Sequence, residues 1–518
     1  MNRIKEQVLE KSCNLYRTRP WIGILLLFVV IIGFHSWSLM RFPQPFVDEG
    51  WYGARALGFL ETGRAFGTLD SNFMVEYDGY WTYFPLLPVL LHALSFRLAG
   101  GVSLLAMRLV SLLFGLWLLT AVYLLAYRLC GRREAVFSVL LVAFSWPFCI
   151  SAHWARTDIM AAALGFTALA LYVNSRQQTF WVNVLAGFCV GLAFEFHPNA
   201  AIFGLTLVVM AFVAQGWGTL KHRSLWGIVC GGALGGLFYA ALHILRYPDT
   251  YFTFQRLFFS ATHTPPILTF DLGVMLEAFR NMAISMFLEV YPLSLLVMLA
   301  VVALWRRPSL ENRWLIAAVL SLTLGYTLWV RNRMPYYPII LTPIFDIVAV
   351  GVVLDEFSRP WRRRVSFYAR RVLVLGLSLA SLIRPFTAVL YPYYQDYENV
   401  QQQIKAVIVP GESIIGPQTF WFGLYEHNYH SWEEIMYYQR YALGSSVEEA
   451  LQSLHPDVFI ADGYVRLVAP GERRNMYDQH VSLDLFQVRD FLDRRGTLLI
   501  RFNGGVYGEV FVYRINWD

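Results

Sequence analysis

Two adjacent carboxylates are the first residues in this chain whose types and spacing suggest chemistry. Asp48 and Glu49 lie in Phe46-Val47-Asp48-Glu49-Gly50-Trp51-Tyr52-Gly53-Ala54-Arg55, just past an apolar run long enough to cross a membrane. A carboxylate in a partly dry cleft binds protons more readily than one in water, and a neighbouring carboxylate adds to the effect. That is the setting of a general base. A plainer alternative stands beside it: Asp48 or Glu49 can begin a helix as a cap. Further along come His153-Trp154-Ala155-Arg156-Thr157-Asp158, then Glu195, His197 and Asn199 around Pro198, then Arg331, Arg333, Tyr336 and Tyr337. Arg246, Arg256 and His263 add basic groups between them, and Asp346 and Arg384 fall inside apolar stretches. For Arg156 and Asp158 the bland reading is a structural ion pair, and for His197 a packed interface residue. Taken together, acids able to activate a hydroxyl accompany cations able to hold a phosphate. No Walker loop and no GxGxxG after a strand is present, so a soluble nucleotide is not the obvious phosphate donor; a lipid phosphate fits better.

The elements that position these residues are membrane spans. Apolar runs of about 20 residues match a bilayer core of about 30 Å. They occur near 21–40, 104–128, 135–151, 158–174, 180–196, 198–214, 225–245, 283–304, 313–330, 337–354 and 372–391, which predicts about eleven transmembrane helices. Arginine and lysine collect in the N-terminal tail and in every second connection, which places the N-terminus in the cytoplasm. That parity requires the apolar stretch 83–98, broken by Pro85 and Pro88, to lie along the outer interface rather than cross. The long first outer loop (41–103), the turns at 152–157, 196–199 and 331–335, and the C-terminal region then share the non-cytoplasmic face. Arg331 and Arg333 run against the positive-inside rule there, which suits an anion.

The composition is consistent with this division. Of 518 residues, 57% are apolar and only 15% charged, which excludes a disordered chain and a nucleic-acid-binding domain and disfavours a soluble enzyme. The formal charge of +6 hides a split: residues 1–391 hold 32 Lys/Arg and 19 Asp/Glu, residues 392–518 hold 10 and 17. Residues 1–391 are expected to form the membrane domain and 392–518 a small exported α/β domain. In the latter, 398–409, 447–454 and 484–494 read as helices, 413–416 and 458–461 as strands, and 497–502 with 509–514 as a hairpin. The five cysteines show no CxxC spacing, so neither a disulfide framework nor a cysteine zinc site is implied. No Asn-x-Ser/Thr sequon occurs, which fits a prokaryotic source.

With these motifs in order, the chain resembles the GT-C superfamily of polyprenyl-phosphate-sugar glycosyltransferases, in its protein O-mannosyltransferase and aminoarabinose-transferase-like branch. The resemblance rests on Asp48-Glu49 with Ala54-Arg55, on Phe84-Pro85-Leu86 through Gly100, and on Arg108-Leu109-Val110-Ser111 through Arg133. It continues in Ala155-Arg156-Thr157-Asp158, in Gly191-Leu192-Ala193-Phe194 with His197-Pro198, and in Arg333 with Tyr336-Tyr337 and Pro343. It implies an inverting transfer from a lipid-linked sugar phosphate to a hydroxyl of a protein, lipid or glycan at the outer face of an inner membrane. Asp48 would be the base and Glu49 its support. Arg55, Arg156, Asp158, His197, Arg256, Arg331, Arg333, Tyr336 and Tyr337 would form the substrate and phosphate site. No metal, no cofactor beyond the lipid-linked donor, and no nucleic acid is expected. Two departures stand out: Phe84 where relatives carry Lys or His before the prolines of the interface helix, and His197 where they often carry Lys. The rival readings are a lipid or sugar transporter, and a non-catalytic protein on the same scaffold.

Overall fold

A computed structural model describes residues 20–70, 85–175, 179–252, 271–290, 309–330, 334–358, 383–391, 393–432, 434–435, 446–462 and 485–518, with single positions at 301, 304 and 376. Helices follow the apolar runs. They are α1 (Pro20–Ser38), α2 (Val47–Thr62), α3 (Leu86–Ala99), α4 (Leu104–Leu129), α5 (Arg132–Ala143), α6 (Trp146–His153), α7 (Asp158–Asn174), α8 (Phe180–Phe196), α9 (Ala201–Gln215), α10 (Arg223–His243), α11 (Leu272–Val290), α12 (Leu310–Trp329) and α13 (Thr342–Ser358). Among the described residues, three helical stretches are both long and apolar enough to cross a membrane alone: Leu104–Leu129, Pro198–Lys221 and Arg223–His243. The pair α5 and α6 makes a fourth, bent by 64°. One straight span was expected over 135–151; the break comes where Ser145 caps a new helix by accepting the Phe148 N–H (3.3 Å) and Pro147 enters its first turn. Of the eighth expected span, 283–304, the first residues lie in α11 (Leu272–Val290) and most of the rest outside the described residues, as does much of the last, 372–391.

α8 and α10 pack closely because their contact stripes are glycine. A Cβ on Gly191 would lie 2.7 Å from the Gly235 Cα, and one on Gly235 2.6 Å from the Gly191 Cα. Close backbone approach through small residues replaces the hydrophobic drive that lipid cannot supply. α3 begins and ends at one end of the bundle. Its first amides meet Glu195 at the end of α8, and its last residues lead into α4, whose Arg108 and Ser111 reach Glu49 and the Arg156 carbonyl. At 14 residues it is too short to span, and it buries Val89, His92, Ala93 and Phe96 against α2 and its surroundings.

The C-terminal region adds α14 (Tyr393–Lys405), α15 (Trp421–Leu424), α16 (Val447–Leu454), α17 (Leu485–Arg495) and a five-stranded sheet. Its strands are β1 (Ser413–Gly416), β2 (Asn428–Ser431), β3 (Val458–Ala461), β4 (Gly496–Asn503) and β5 (Glu509–Ile515), in the order β2-β1-β3-β5-β4. β1 is parallel to β2 and β3, and β5 is antiparallel to β3 and β4, with a register shift between Leu498 and Ile500. β2 was not expected: four residues of Asn-Tyr-His-Ser carry little strand signal, and pairing with buried β1 outweighs it.

This region packs against the membrane part. Ala54 and Leu69 belong to the same apolar core as Ile414, Phe420, Trp421 and Tyr507. A Cβ on Gly53 would lie 2.7 Å from the Trp421 ring. Trp421 Nε1 donates to Thr68 Oγ1 (3.3 Å) and the Tyr507 hydroxyl to the Pro45 carbonyl (3.4 Å). The helix that carries Asp48 is therefore wedged between the bundle and the sheet domain.

Candidate active site

Glu49 and Asp48, neighbours in sequence, have opposite environments. Glu49 is fully buried and both its oxygens are used. Arg108 Nε and Nη2 donate to them at 2.9 Å each, the Phe46 N–H caps α2 at 2.9 Å, and the Ala155 N–H donates at 2.9 Å. Arg108 in turn donates to the Leu39 and Pro43 carbonyls at 2.9 and 3.0 Å. This fork ties the exit of α1, the start of α2, α4 and the turn before α7 into one piece. Sequence reasoning placed Arg108 in a motif but gave it no role; its signal was an arginine inside an apolar span.

Asp48, one residue earlier, keeps 29% of its side chain exposed and forms an ion pair with Arg156. Arg156 is nearly buried, donates from Nε to Asp158 at 2.8 Å, and lies 3.6 Å above the Tyr336 ring. Burial disfavours the guanidinium charge, but Asp158, Tyr336 and Tyr337 outweigh it and raise its pKa above the ordinary value. His197 Nε2 stands 3.7 Å from the other Asp158 oxygen. Its Nδ1 accepts the Asn199 N–H at 3.1 Å, which leaves the ring proton on Nε2, facing Asp158. Burial holds the His197 pKa below its ordinary value; Asp158 opposes this and Arg156 adds to it. Aromatic rings wall the cluster. Phe46 stacks on Trp154 at 4.4 Å, Trp154 donates to the Gln44 carbonyl at 2.7 Å, and Tyr337 lies 5.3 Å from His197. Ser151 donates to the Tyr336 carbonyl at 3.0 Å, fastening that turn to α6.

The structure thus brings together Asp48, Arg156, Asp158, His197, Tyr336 and Tyr337 from α2, the α6–α7 turn, the α8–α9 turn and the turn before α13. Arg55 is not among them: it lies two turns further along α2, fully buried, with Nε and Nη2 bonded to Asp70 at 2.8 Å each. Arg256, Arg331 and Arg333, with His263 and Phe84, lie outside the described residues. Arg384 sits 3.8 Å over the Trp146 ring, and Asp346 is buried within α13.

Two further polar groupings lie at this end of the bundle. Glu195, buried, accepts the Leu86 and Leu87 N–H groups at 2.8 and 3.2 Å, and its other oxygen meets His243 Nε2 at 2.6 Å. A carboxylate from α8 therefore caps α3, satisfying two amides that a helix start leaves open. His35 and His153 are hydrogen-bonded ring to ring at 2.9 Å, with the Ala143 and Phe42 carbonyls beyond them at 3.0 and 2.6 Å. Among the described residues no group of three or more His, Cys, Asp or Glu side chains is arranged to hold a metal ion.

Comparison with known proteins matches this architecture. Residues 84–241, from the start of α3 to the end of α10, match the family described as dolichyl-phosphate-mannose-protein mannosyltransferase. The whole fold is similar to ArnT from Cupriavidus metallidurans bound to undecaprenyl phosphate, at 15% identity and a TM-score of 0.58, over 96% of this chain and 98% of that one. The chain has the GT-C glycosyltransferase fold. A GT-C likeness extends to the Archaeoglobus fulgidus oligosaccharyltransferase tethered with an acceptor peptide, at 13% identity and a TM-score of 0.56, over 97% of this chain and 75% of that one. The same oligosaccharyltransferase, AglB, in complex with an inhibitory peptide and a dolichol-phosphate matches at 14% identity and a TM-score of 0.52, over 96% and 75%. The matched family and these GT-C proteins are glycosyltransferases. No curated protein matches by sequence.

Proposed function

We propose that this protein transfers a sugar from a polyprenyl-phosphate donor to a hydroxyl acceptor at the non-cytoplasmic face of a prokaryotic inner membrane, with inversion at the anomeric carbon. The observation that carries the reading is the contrast within one charged cluster. The side chains of Glu49, Arg156 and Asp158 are 0%, 6% and 1% exposed, whereas Asp48 is 29% exposed. Asp48 is the described carboxylate of this cluster that an acceptor can reach. In the reaction, Asp48 takes the proton of the acceptor hydroxyl, the acceptor oxygen bonds to the anomeric carbon from the face opposite the phosphate, and the sugar–phosphate bond breaks with its electrons on the lipid phosphate. Arg156, with Arg331 and Arg333, stabilises that charge. His197 is the further donor, and Tyr336 and Tyr337 form the wall. The lipid phosphates in the ArnT and AglB structures support this class of donor. The acceptor is a protein, lipid or glycan hydroxyl.

The test is direct. The purified protein, supplied with polyprenyl-phosphate sugars and envelope acceptors, releases polyprenyl phosphate, and Asp48→Asn slows that release by about 10²–10⁴-fold. Full activity in this variant overturns the assignment of the base. The reaction as proposed needs no divalent metal, because Arg156 supplies the positive charge between the two carboxylates. Activity should survive EDTA unchanged; loss that Mg²⁺, Mn²⁺ or Zn²⁺ restores would contradict this.

A further inference from the structure

Arg156 contacts both Asp48 and Asp158, and the three together carry one net negative charge. His197 beside them is held towards neutrality by burial. A phosphate anion entering this cluster meets that net negative charge, and its attraction to the guanidinium grows if one of the two carboxylates moves away. The two are not held alike. Asp158 is buried, two residues away, and receives the Arg156 Nε–H at 2.8 Å. Asp48 is on a different helix, partly exposed, and meets the terminal Nη1. Asp48 is the partner that gives way.

We propose that Arg156 is an exchangeable clamp on the base: without donor it holds Asp48, and when a lipid phosphate binds it turns Nη1 to the phosphate and releases Asp48 to the acceptor hydroxyl. This rests on the reading of Asp48 as the base. Asp158 keeps Nε throughout, and the Tyr336 ring supports the guanidinium plane in both positions. The base is then available only with donor in place, so the acceptor hydroxyl is activated only when donor is bound. Arginine suits this task because its planar fork offers separate N–H groups to separate anions, whereas a lysine presents a single point charge.

Competition of this kind is measurable without any acceptor, because the coupling between two partners of one group is reciprocal. The probe is undecaprenyl phosphate, titrated into the full-length protein in nanodiscs. With Asp48 competing for Arg156, Asp48→Asn should tighten binding about tenfold. In an Arg156→Gln background the same substitution should change binding less than twofold. Because Arg156→Gln leaves Asp158 buried without its partner, the comparison is repeated in Arg156→Gln/Asp158→Asn. No tightening in the first background overturns the clamp. Tightening of equal size in all three backgrounds also overturns it, since that is repulsion between Asp48 and the phosphate without the arginine. The cycle reads binding alone, so its failure is distinct from failure of the glycosyltransferase reading, which the turnover of Asp48→Asn tests.

Discussion

At the residue scale, neighbouring acids divide the work. Glu49 is fully enclosed by donors and fixes geometry; Asp48 is left with an open side, as the proposed base requires. Removing one partner of a buried pair strands the other charge, at about 3–5 kcal/mol. Glu49→Ala should therefore lose most of the folded protein, measured by thermal unfolding in detergent, whereas Asp48→Asn should unfold within a few degrees of wild type. Equal stability of the two variants would contradict the division. His197 gives a pH signature. Its folded pKa lies below the ordinary value of 6.5, so the unfolded chain binds its proton first as pH falls. Its contribution is absent at high pH and destabilises increasingly below about 6.5. His197→Gln should flatten the acid side of the stability profile, and an unchanged profile would count against the burial of the ring. The types of Asp48, Arg156 and His197 were legible in the sequence. The bond between Glu49 and Arg108 was not, because 59 residues separate them and nothing local marks a partner.

At the element scale, close backbone approach decides what each helix can do. α8 and α10 meet glycine to glycine, and α8 ends in Glu195 and leads into His197. A leucine at Gly191 has nowhere to go: overpacking costs about 1–3 kcal/mol in a soluble core. Gly191→Leu should lower the melting temperature and reduce turnover with it, because α8 carries the cap of α3 and the His197 turn together. A stable, fully active Gly191→Leu would show that this contact is looser than described. The broken span over α5 and α6 has the same logic. Pro147 prevents a straight crossing, and the bend of 64° carries the His153–Asp158 segment towards Asp48. Hydropathy located that stretch correctly but cannot report a bend.

At the scale of the whole molecule, one apolar cluster crosses the expected boundary at 391/392, joining Ala54 and Leu69 to the sheet domain. α2 is held on one side by Arg108 of the helical bundle and on the other by Trp421 and Tyr507 of the sheet domain. Trp421→Ala, which opens a cavity beside Gly53, should cost about 3–5 kcal/mol and depress activity although it touches no substrate. A chain ending at residue 391 should lack a stable fold and all transferase activity; a folded, active 1–391 would refute a shared core. The sequence by itself determined that the chain is a helical membrane protein with a small C-terminal α/β region, the approximate run of its helices, and the types of the charged residues that gather at Asp48. These are local properties, written in hydropathy, in the side on which arginines fall, and in motif order. Only the tertiary structure decided which of two adjacent carboxylates is enclosed, that Arg55 belongs to Asp70, and that Arg156 is shared between Asp48 and Asp158. Those outcomes depend on burial and on partners brought from distant segments, and a buried charge takes whichever counter-charge the packing places beside it.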